Sequence, residues 1–399
     1  MKLSKILFLS CLILFTFFYL SCSGGKKPKE PQKPIKIGAV FSITGGAAKL
    51  GEPEQKTANM VVEQINAAGG INGSPIQLLI EDDQSSPEKT QNAVKKLITS
   101  DQVVAIIGPT ISGSGFAAAP ICEEAGIPLV SCAAAYVQLF MEKDPTKPMY
   151  KYVFKTPQND SDCARVIIQD CVKKGYKKVA LITSDSGFGS AGRQVVLKAA
   201  KEADITIVAD ETYPGDATDL TPQLTKIKSK KPQAIINWSI EAAQGLIAGQ
   251  IKQIKLNAQL YQSHGFGNKR YITEAAEGVL FPAGRLLVVA DIDTSDVQYA
   301  VLKKFKSDYE TKYSEEVSTF AGHAYDALWL LADAIKAQGV GNIRQALEAT
   351  KGFVGTAGVF NMSSTEHCGL GADAFVLVTV KDGVFRLADK VQPAVAKAK

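Results

Sequence analysis

The sequence predicts an α/β protein built as two doubly wound parallel-sheet lobes with a cleft between them. Three observations carry this. Short apolar runs with strand character alternate with helical stretches of 10–15 residues from Ile35 to Ser131. A Pro-, Tyr- and Lys-rich stretch at 145–158 interrupts the alternation, and from Asp160 it starts again. At 399 residues the chain is long enough for two domains.

The N-terminus reads as a targeting segment over 1–22. Lys2 and Lys5 give it a basic start, and Ile6–Leu20 is an apolar run too short for an ordinary membrane span. It ends in Tyr19-Leu20-Ser21-Cys22, which resembles a lipoprotein processing box with Cys22 as the lipidated residue; plain secretion and an uncleaved anchor are the competing readings. Residues 23–34 contain no apolar side chain and three prolines, the composition of a solvated tether. Lipid, tether and globular body form one consistent arrangement, lipid-anchored outside a bacterial cytoplasm.

The first predicted strand is Ile35–Phe41, followed by a helix from Glu52 to Ala68 with Ala58, Val61, Val62 and Ile65 on one face. Gly69-Gly70 stops it, and strand Ile76–Ile80 ends in Glu81-Asp82-Asp83. A helix over 87–99 precedes Val103–Ile107, an apolar run expected to be buried on both faces. Gly108-Pro109 and a turn of Thr110, Ser112, Gly113 and Ser114 then lead into a helix at Phe116, with Ser114 as its N-cap. Such a turn presents unpaired backbone N–H groups at the positive end of a helix dipole, which favours a carboxylate or phosphate. An ordinary strand–helix turn has the same composition. Strand Ile127–Ser131 runs into Cys132-Ala133-Ala134-Ala135.

The second half is read as helix 160–174, strand Val179–Thr183, loop Ser184–Gly192, helix 193–202, strand Ile205–Ala209, helix 219–229, strand Ala234–Trp238, helix 241–254 and strand Gln259–Gln262. A long helix pair covers 295–313 and 319–338. Strand Ala374–Lys381 and a hairpin at Asp382-Gly383 close the fold, with residues 393–399 frayed.

Net charge is +5, and +3 without Lys2 and Lys5, too small and too evenly mixed to indicate nucleic acid. Beyond Cys11 and Cys22, five cysteines remain, so at least one thiol is free. Cys163 and Cys171 stand about 12 Å apart along a helix and cannot pair; Cys122–Cys132 is open. No metal site is read, since Glu366-His367-Cys368 is a lone triplet. Gly187-Phe188-Gly189-Ser190-Ala191-Gly192 matches GxGxxG, and Asp210 stands where a ribose-binding acid would. Ser184-Asp185-Ser186, however, lengthens the turn beyond dinucleotide geometry. Asp82-Asp83 read as capping and solvated acids.

Three stretches then carry a family resemblance: Ile35-Lys-Ile-Gly; Ile65-Asn-Ala-Ala-Gly-Gly-Ile-Asn-Gly with the Asp82-Asp83 strand end; and Val104-Ala-Ile-Ile-Gly-Pro. Glu123-Glu-Ala-Gly-Ile-Pro, Asp216-Ala-Thr-Asp-Leu-Thr and His323-Ala-Tyr-Asp-Ala-Leu support them. Over roughly 35–390 the chain resembles the type I periplasmic binding proteins of the leucine/isoleucine/valine group, the ligand-capturing subunits of ABC importers. The resemblance implies a non-enzymatic, monomeric solute-binding protein without cofactor, closing by a hinge on a small carboxylate and docking on permease subunits. It implies crossings near 155–160, 281–285 and 358–362, hence a first lobe of 35–158 plus 283–358 and a second of 159–282 plus 359–392. A ligand-sensing module for a signalling receptor is the alternative.

The resemblance places the ligand carboxylate on Thr110, Ser112, Gly113 and neighbouring amides, with the backbone of Ala133 and Ala135 on its polar side and Leu50 and Phe188 as covering side chains. Where the family places an acid for the ligand ammonium, this sequence has His264. A buried ammonium without a carboxylate partner is costly, so the substitution favours an aliphatic or aromatic acid with His264 as donor. A histidine satisfied by its own loop is the other reading. Glu241 is the residue that could restore an ammonium partner and with it a branched-chain or hydrophobic amino acid. Asp160 also matches a family acid, in a structural place.

Overall fold

A computed structural model describes residues 32–389. The targeting segment with Cys22, most of the tether and the tail at 393–399 lie outside the described residues. The first lobe is a five-stranded, wholly parallel sheet. β1 (Ile35–Phe41) leads into α1 (Ala48–Ala67), β2 (Ile76–Asp82), α2 (Pro87–Thr99), β3 (Ala105–Ile107), α3 (Ser112–Ala125), β4 (Leu129–Ser131) and β5 (Val153–Lys155). Spatial order is β2-β1-β3-β4-β5, with Ile37 beside both Leu78 and Ala105. Order reverses at β1, and in such sheets ligands bind beyond the strand ends at that reversal.

α1 begins at Ala48, ahead of the expected Glu52, because Ala47 and Leu50 are already buried. α2 has Pro87 at its first turn and Ser86 as cap, its hydroxyl accepting from Lys89 N. At the end of β3, Gly108 has φ +83°, and a Cβ there would lie 2.1 Å from Val40 O. Only glycine allows β3 to leave the sheet so close to β1.

The second lobe follows with α4 (Asp160–Lys173), β6 (Lys178–Ser184), α5 (Gly187–Glu202), β7 (Thr206–Tyr213), α6 (Thr221–Ser229), β8 (Ala234–Trp238), α7 (Gln244–Gln253), β9 (Gln259–Gln262) and β10 (Leu280–Ala283). Beyond it come α8 (Tyr299–Tyr313), α9 (Thr319–Gln338), α10 (Ile343–Glu348), the hairpin β11 (Lys351–Val354) and β12 (Val359–Asn361), then β13 (Val376–Lys381) and β14 (Val384–Leu387). The second sheet runs β14-β13-β10-β9-β8-β6-β7. It is parallel except that β13 and β14 attach antiparallel. Asp382 and Gly383, both at positive φ, make their two-residue turn.

Each sheet has its own core. α9 and α10 bury Ala324, Leu328, Leu331 and Leu347 with the first sheet. Phe360, Met362, Cys368, Leu370 and Ala374 join that same core. The third crossing therefore falls at about 374–376, beyond the expected 358–362. Hydrogen bonds explain the shift: Lys155 N donates to His367 O (3.2 Å), and His367 Nδ1 lies 2.8 Å from Val153 O, so the segment after β12 runs along the edge of β5. The other two crossings pass through 156–159 and 284–285, between β5 and α4 and after β10. Asp326 on α9 holds the turn between β11 and β12, its carboxyl accepting from Thr356 N (2.6 Å), Thr356 Oγ1 (3.0 Å) and Ala357 N (2.8 Å).

All five described cysteines are free and buried, so Cys122 and Cys132 do not pair. Among the described residues no helix is long and apolar enough to cross a membrane.

Candidate functional site

The ends of β3, β4, β6, β8 and β9 converge on one narrow cavity of about 20 Å³. The first lobe contributes Thr110, Ser112, Cys132 and Ala134, and α9 contributes Phe320 and His323. Phe188, Ile240, His264 and Gly265 come from the second lobe, and Pro157 from a crossing. That volume holds about one water, whereas small-molecule sites usually measure roughly 300 Å³ or more. A ligand enters only when the lobes part.

The first-lobe wall is the N-terminus of α3. This helix starts at Ser112, earlier than the expected Phe116, and Ile111 at its cap position makes no side-chain capping bond. Ser114 is not the cap. It lies inside the first turn and donates to Asp83 Oδ2 (2.8 Å). The first turn of α3 thus has no side-chain cap, and Ser112 brings the positive end of the helix to the cavity. Asp83, fully buried, also accepts from Ser42 Oγ (2.7 Å), Ser85 N (2.9 Å) and Thr90 Oγ1 (2.9 Å). It ties the turns after β1, β2 and β3 together under the site. Asp82 ties the turns after β1 and β2 at the surface, accepting from Ile43 N, Thr44 and Gln84 N.

Four of the expected site residues meet at the cavity: Thr110, Ser112, Phe188 and His264. Thr110 Oγ1 accepts from Ser42 N (3.0 Å) and shares a short hydrogen bond with Glu54 Oε2. Ser112 Oγ accepts from Ala135 N (3.2 Å), so its own proton is available to a ligand. Gly113 lies where the lobes touch: a Cβ on Gly187 would lie 3.1 Å from Gly113 N and 3.0 Å from the Phe116 ring.

The others are placed differently. Ala133 O and Ala135 O both accept from Gln138 Nε2 (2.7 and 3.0 Å), and Ala134 between them faces the cavity instead. Leu50 is fully buried but packs into the second-lobe core rather than lining the cavity. Glu241 turns back on its own loop, accepting from Ser239 Oγ (2.7 Å) and Ile240 N (3.1 Å), so it supplies no acid to the cavity. Asp160 ties Tyr136 N (3.2 Å) to the start of α4.

The GxGxxG stretch opens α5 at Gly187, so the expected loop to Gly192 is shorter. A Cβ on Gly189 would meet Ser184 O at 2.0 Å, and one on Gly192 the Trp238 ring at 2.1 Å. These glycines serve helix–strand packing and the lobe contact, while Asp210 pairs with Arg193 Nε (2.9 Å). Glu366 accepts from Cys368 N and Gly369 N, and the His367 ring stacks on Phe154. Among the described residues no group of three or more His, Cys, Asp or Glu could hold a metal ion.

His264 sits edge-on to Phe188, Trp238 and Phe375 at 5.4–5.8 Å, and neither ring nitrogen has a hydrogen-bond partner. The reading of a histidine satisfied by its loop does not hold. His323, expected as a core residue of an apolar helix, also lines the cavity with Nδ1 unpartnered. Burial drives both imidazoles down to about 3, the Lys155 charge adding to it. Lys155 is fully buried behind the cavity, its ammonium donating to Pro157 O (2.6 Å), Gln158 O (3.2 Å) and Asn159 Oδ1 (2.9 Å). The described lining is therefore hydroxyl, thiol, imidazole and apolar, with no acidic side chain and with the Lys155 charge nearby.

This fixes a pH dependence. A base depressed in the folded state binds protons only in the unfolded chain between its folded pKa and about 6.5, so stability is lost as pH falls through that window. Each such imidazole costs up to about 1.4 kcal/mol per pH unit. His264→Phe, which keeps the ring packing, should remove up to one proton from the stability slope between pH 6 and 4. Urea unfolding at each pH measures it, and an unaltered slope would contradict the neutral, unpartnered ring.

A family model described as periplasmic binding protein matches residues 34–383. The leucine-, isoleucine-, valine-, threonine- and alanine-binding protein of Pseudomonas aeruginosa is 26% identical over 79% of this chain and 82% of its own. Among solved structures, an extracellular ligand-binding receptor from Rhodopseudomonas palustris superposes with TM-score 0.82 at 26% identity, covering 89% of this chain and all of that one. The branched-chain amino acid transporter substrate-binding protein LivJ of Streptococcus pneumoniae, in complex with isoleucine, gives TM-score 0.76 at 29% identity over 89% of this chain and 99% of its own.

Proposed function

Because the chain belongs to the periplasmic binding protein family, we propose that it captures a small carboxylic acid lacking an ammonium group and delivers it to an ABC importer. The ligand carboxylate lies on Ser112, Thr110 and the first amides of α3. Phe188 and His264 close over its aliphatic or aromatic body as the lobes come together. The observation that supports this best is the pairing of an uncapped helix N-terminus with the unpartnered His264 ring in a cavity whose described lining has no acid. An α-amino acid would leave its ammonium buried without a carboxylate, at a cost of several kcal/mol. Relatives are named for branched-chain amino acids, which carry the same carboxylate and add an ammonium group.

The protein acts by binding, without bond chemistry, as a monomer in the periplasm, held to a membrane by lipid on Cys22. A thermal-shift panel on residues 35–399 tests the ligand class, setting leucine, isoleucine, valine and phenylalanine against benzoate and short aliphatic acids. A ligand at a hundredfold its dissociation constant stabilises by about 2.7 kcal/mol. The acids should raise the melting temperature; a response confined to the amino acids would overturn the assignment.

A further inference from the structure

We propose that Glu54 is a positioning residue that carries a proton in the folded protein and so turns the Thr110 hydroxyl proton toward the bound carboxylate; this rests on the carboxylate reading of the cleft. The argument is a count of protons. A threonine hydroxyl has one proton and two lone pairs. At Thr110 one lone pair receives Ser42 N–H (3.0 Å), and Glu54 Oε2 occupies a second direction at short range. Thr110 also lines the cavity, where a ligand would be its third partner. Were Glu54 ionised, the single Thr110 proton would be spent on it, and a lone pair would face the ligand's anion. With the proton on Glu54, Glu54 donates to Thr110 and Thr110 donates to the ligand.

The surroundings of Glu54 favour the protonated form. Its side chain is fully buried and Oε1 has no hydrogen-bond partner. Two titratable groups influence or are influenced by it: Asp83 at the turn after β2, and the Cys132 thiol after β4. Burial holds that thiol well above its usual range, so it is neutral. Asp83 collects four donors whereas Glu54 has one partner. Of two neighbouring buried carboxyls, the one with the donors keeps the charge. Burial, opposed by the Thr110 bond and reinforced by the Asp83 charge, moves Glu54 well above the carboxylate range.

Infrared spectroscopy of the protein at pH 7 should show a protonated-carboxyl stretch that Glu54→Gln removes. Benzoate, ionised throughout pH 7–9.5, is the probe for function. Its affinity should fall, by about tenfold per pH unit once Glu54 ionises, at the same pH at which that band disappears. In Glu54→Gln the fall should be absent. Thr110→Val should weaken benzoate about tenfold while the band persists, which keeps the test open should Glu54→Gln fail to fold. Absence of the band, its loss without a change in benzoate affinity, or undiminished binding by Thr110→Val would overturn the role of Glu54. If neither benzoate nor any other acid binds, the carboxylate reading falls instead, and the infrared band still decides where the proton lies.

Discussion

Asp83→Ala should destabilise the protein by about 3–5 kcal/mol, seen as a lower urea midpoint with an unchanged slope. The expectation follows from what converges on one buried carboxylate. Ser42 Oγ, Ser85 N, Thr90 Oγ1 and Ser114 Oγ all donate to Asp83 within 2.9 Å. They come from the turn after β1, the turn before α2, α2 itself and the first turn of α3. A buried donor left without a partner costs about 1–3 kcal/mol. The hydroxyls recover part of that by rotation, Thr90 Oγ1 toward Ser86 O (2.9 Å) for instance, but the Ser85 amide has no such freedom. Because Ser114 belongs to the first turn of α3, the loss also displaces the amides that face the cavity. Asp83→Asn separates charge from geometry. Its single oxygen keeps the Ser42 and Ser85 bonds while Thr90 and Ser114 turn to accept, so it should cost about half as much. An Asp83→Ala protein within 1 kcal/mol of wild type would show that the three turns hold themselves.

Gly187→Leu should weaken ligand binding by about a hundredfold while leaving thermal stability nearly unaltered. Gly187 is the first residue of α5, and across the cleft it faces the start of α3. A Cβ there would lie 3.1 Å from Gly113 N, 3.2 Å from Gly113 Cα and 3.0 Å from the Phe116 ring. Gly113 offers backbone, which cannot move aside as a side chain can, so a leucine holds the lobes apart. In the open form the same leucine meets solvent and costs little. Affinity then falls by the cost of closing against the clash, about 2.7 kcal/mol for a hundredfold change. Calorimetry gives the affinity, and small-angle scattering should show that ligand no longer shrinks the radius of gyration. Wild-type affinity in Gly187→Leu would mean that closure onto this contact is not part of binding.

Much of the fold was legible because strand and helix periods alternate cleanly, and the helices at 87–99 and 319–338 are where the pattern puts them. The elements that escaped are those whose partners are distant. β5 lies in a Pro-, Tyr- and Lys-rich stretch, and only its pairing with β4 makes it a strand. The hairpin β11–β12 and the segment along β5 carry no periodic signal, and the family pattern alone puts the third crossing ahead of them, at 358–362. Ser114 looked like a cap because serine before a helix often is one; its partner Asp83 is 31 residues away.

The site divides in the same way. His264 stood out because it replaces an expected acid. His323 was hidden among the apolar residues of α9, and the direction of Glu241 depends on Ser239 and Ile240 rather than on any motif. Glu54 gave no signal at all. Its role emerges only when Thr110, 56 residues further on, is brought against it.

The most direct test of the central claim compares ligands that differ only in the ammonium group. Calorimetric titration with isoleucine and with 3-methylpentanoate, and with phenylalanine and 3-phenylpropanoate, isolates that group on two apolar bodies. The described cavity lining, without an acid and with Lys155 behind it, predicts that an amine-free member binds at least tenfold more tightly than its amino acid. Tighter binding of isoleucine or phenylalanine than of its amine-free analogue would contradict it and would require an ammonium partner at the cleft.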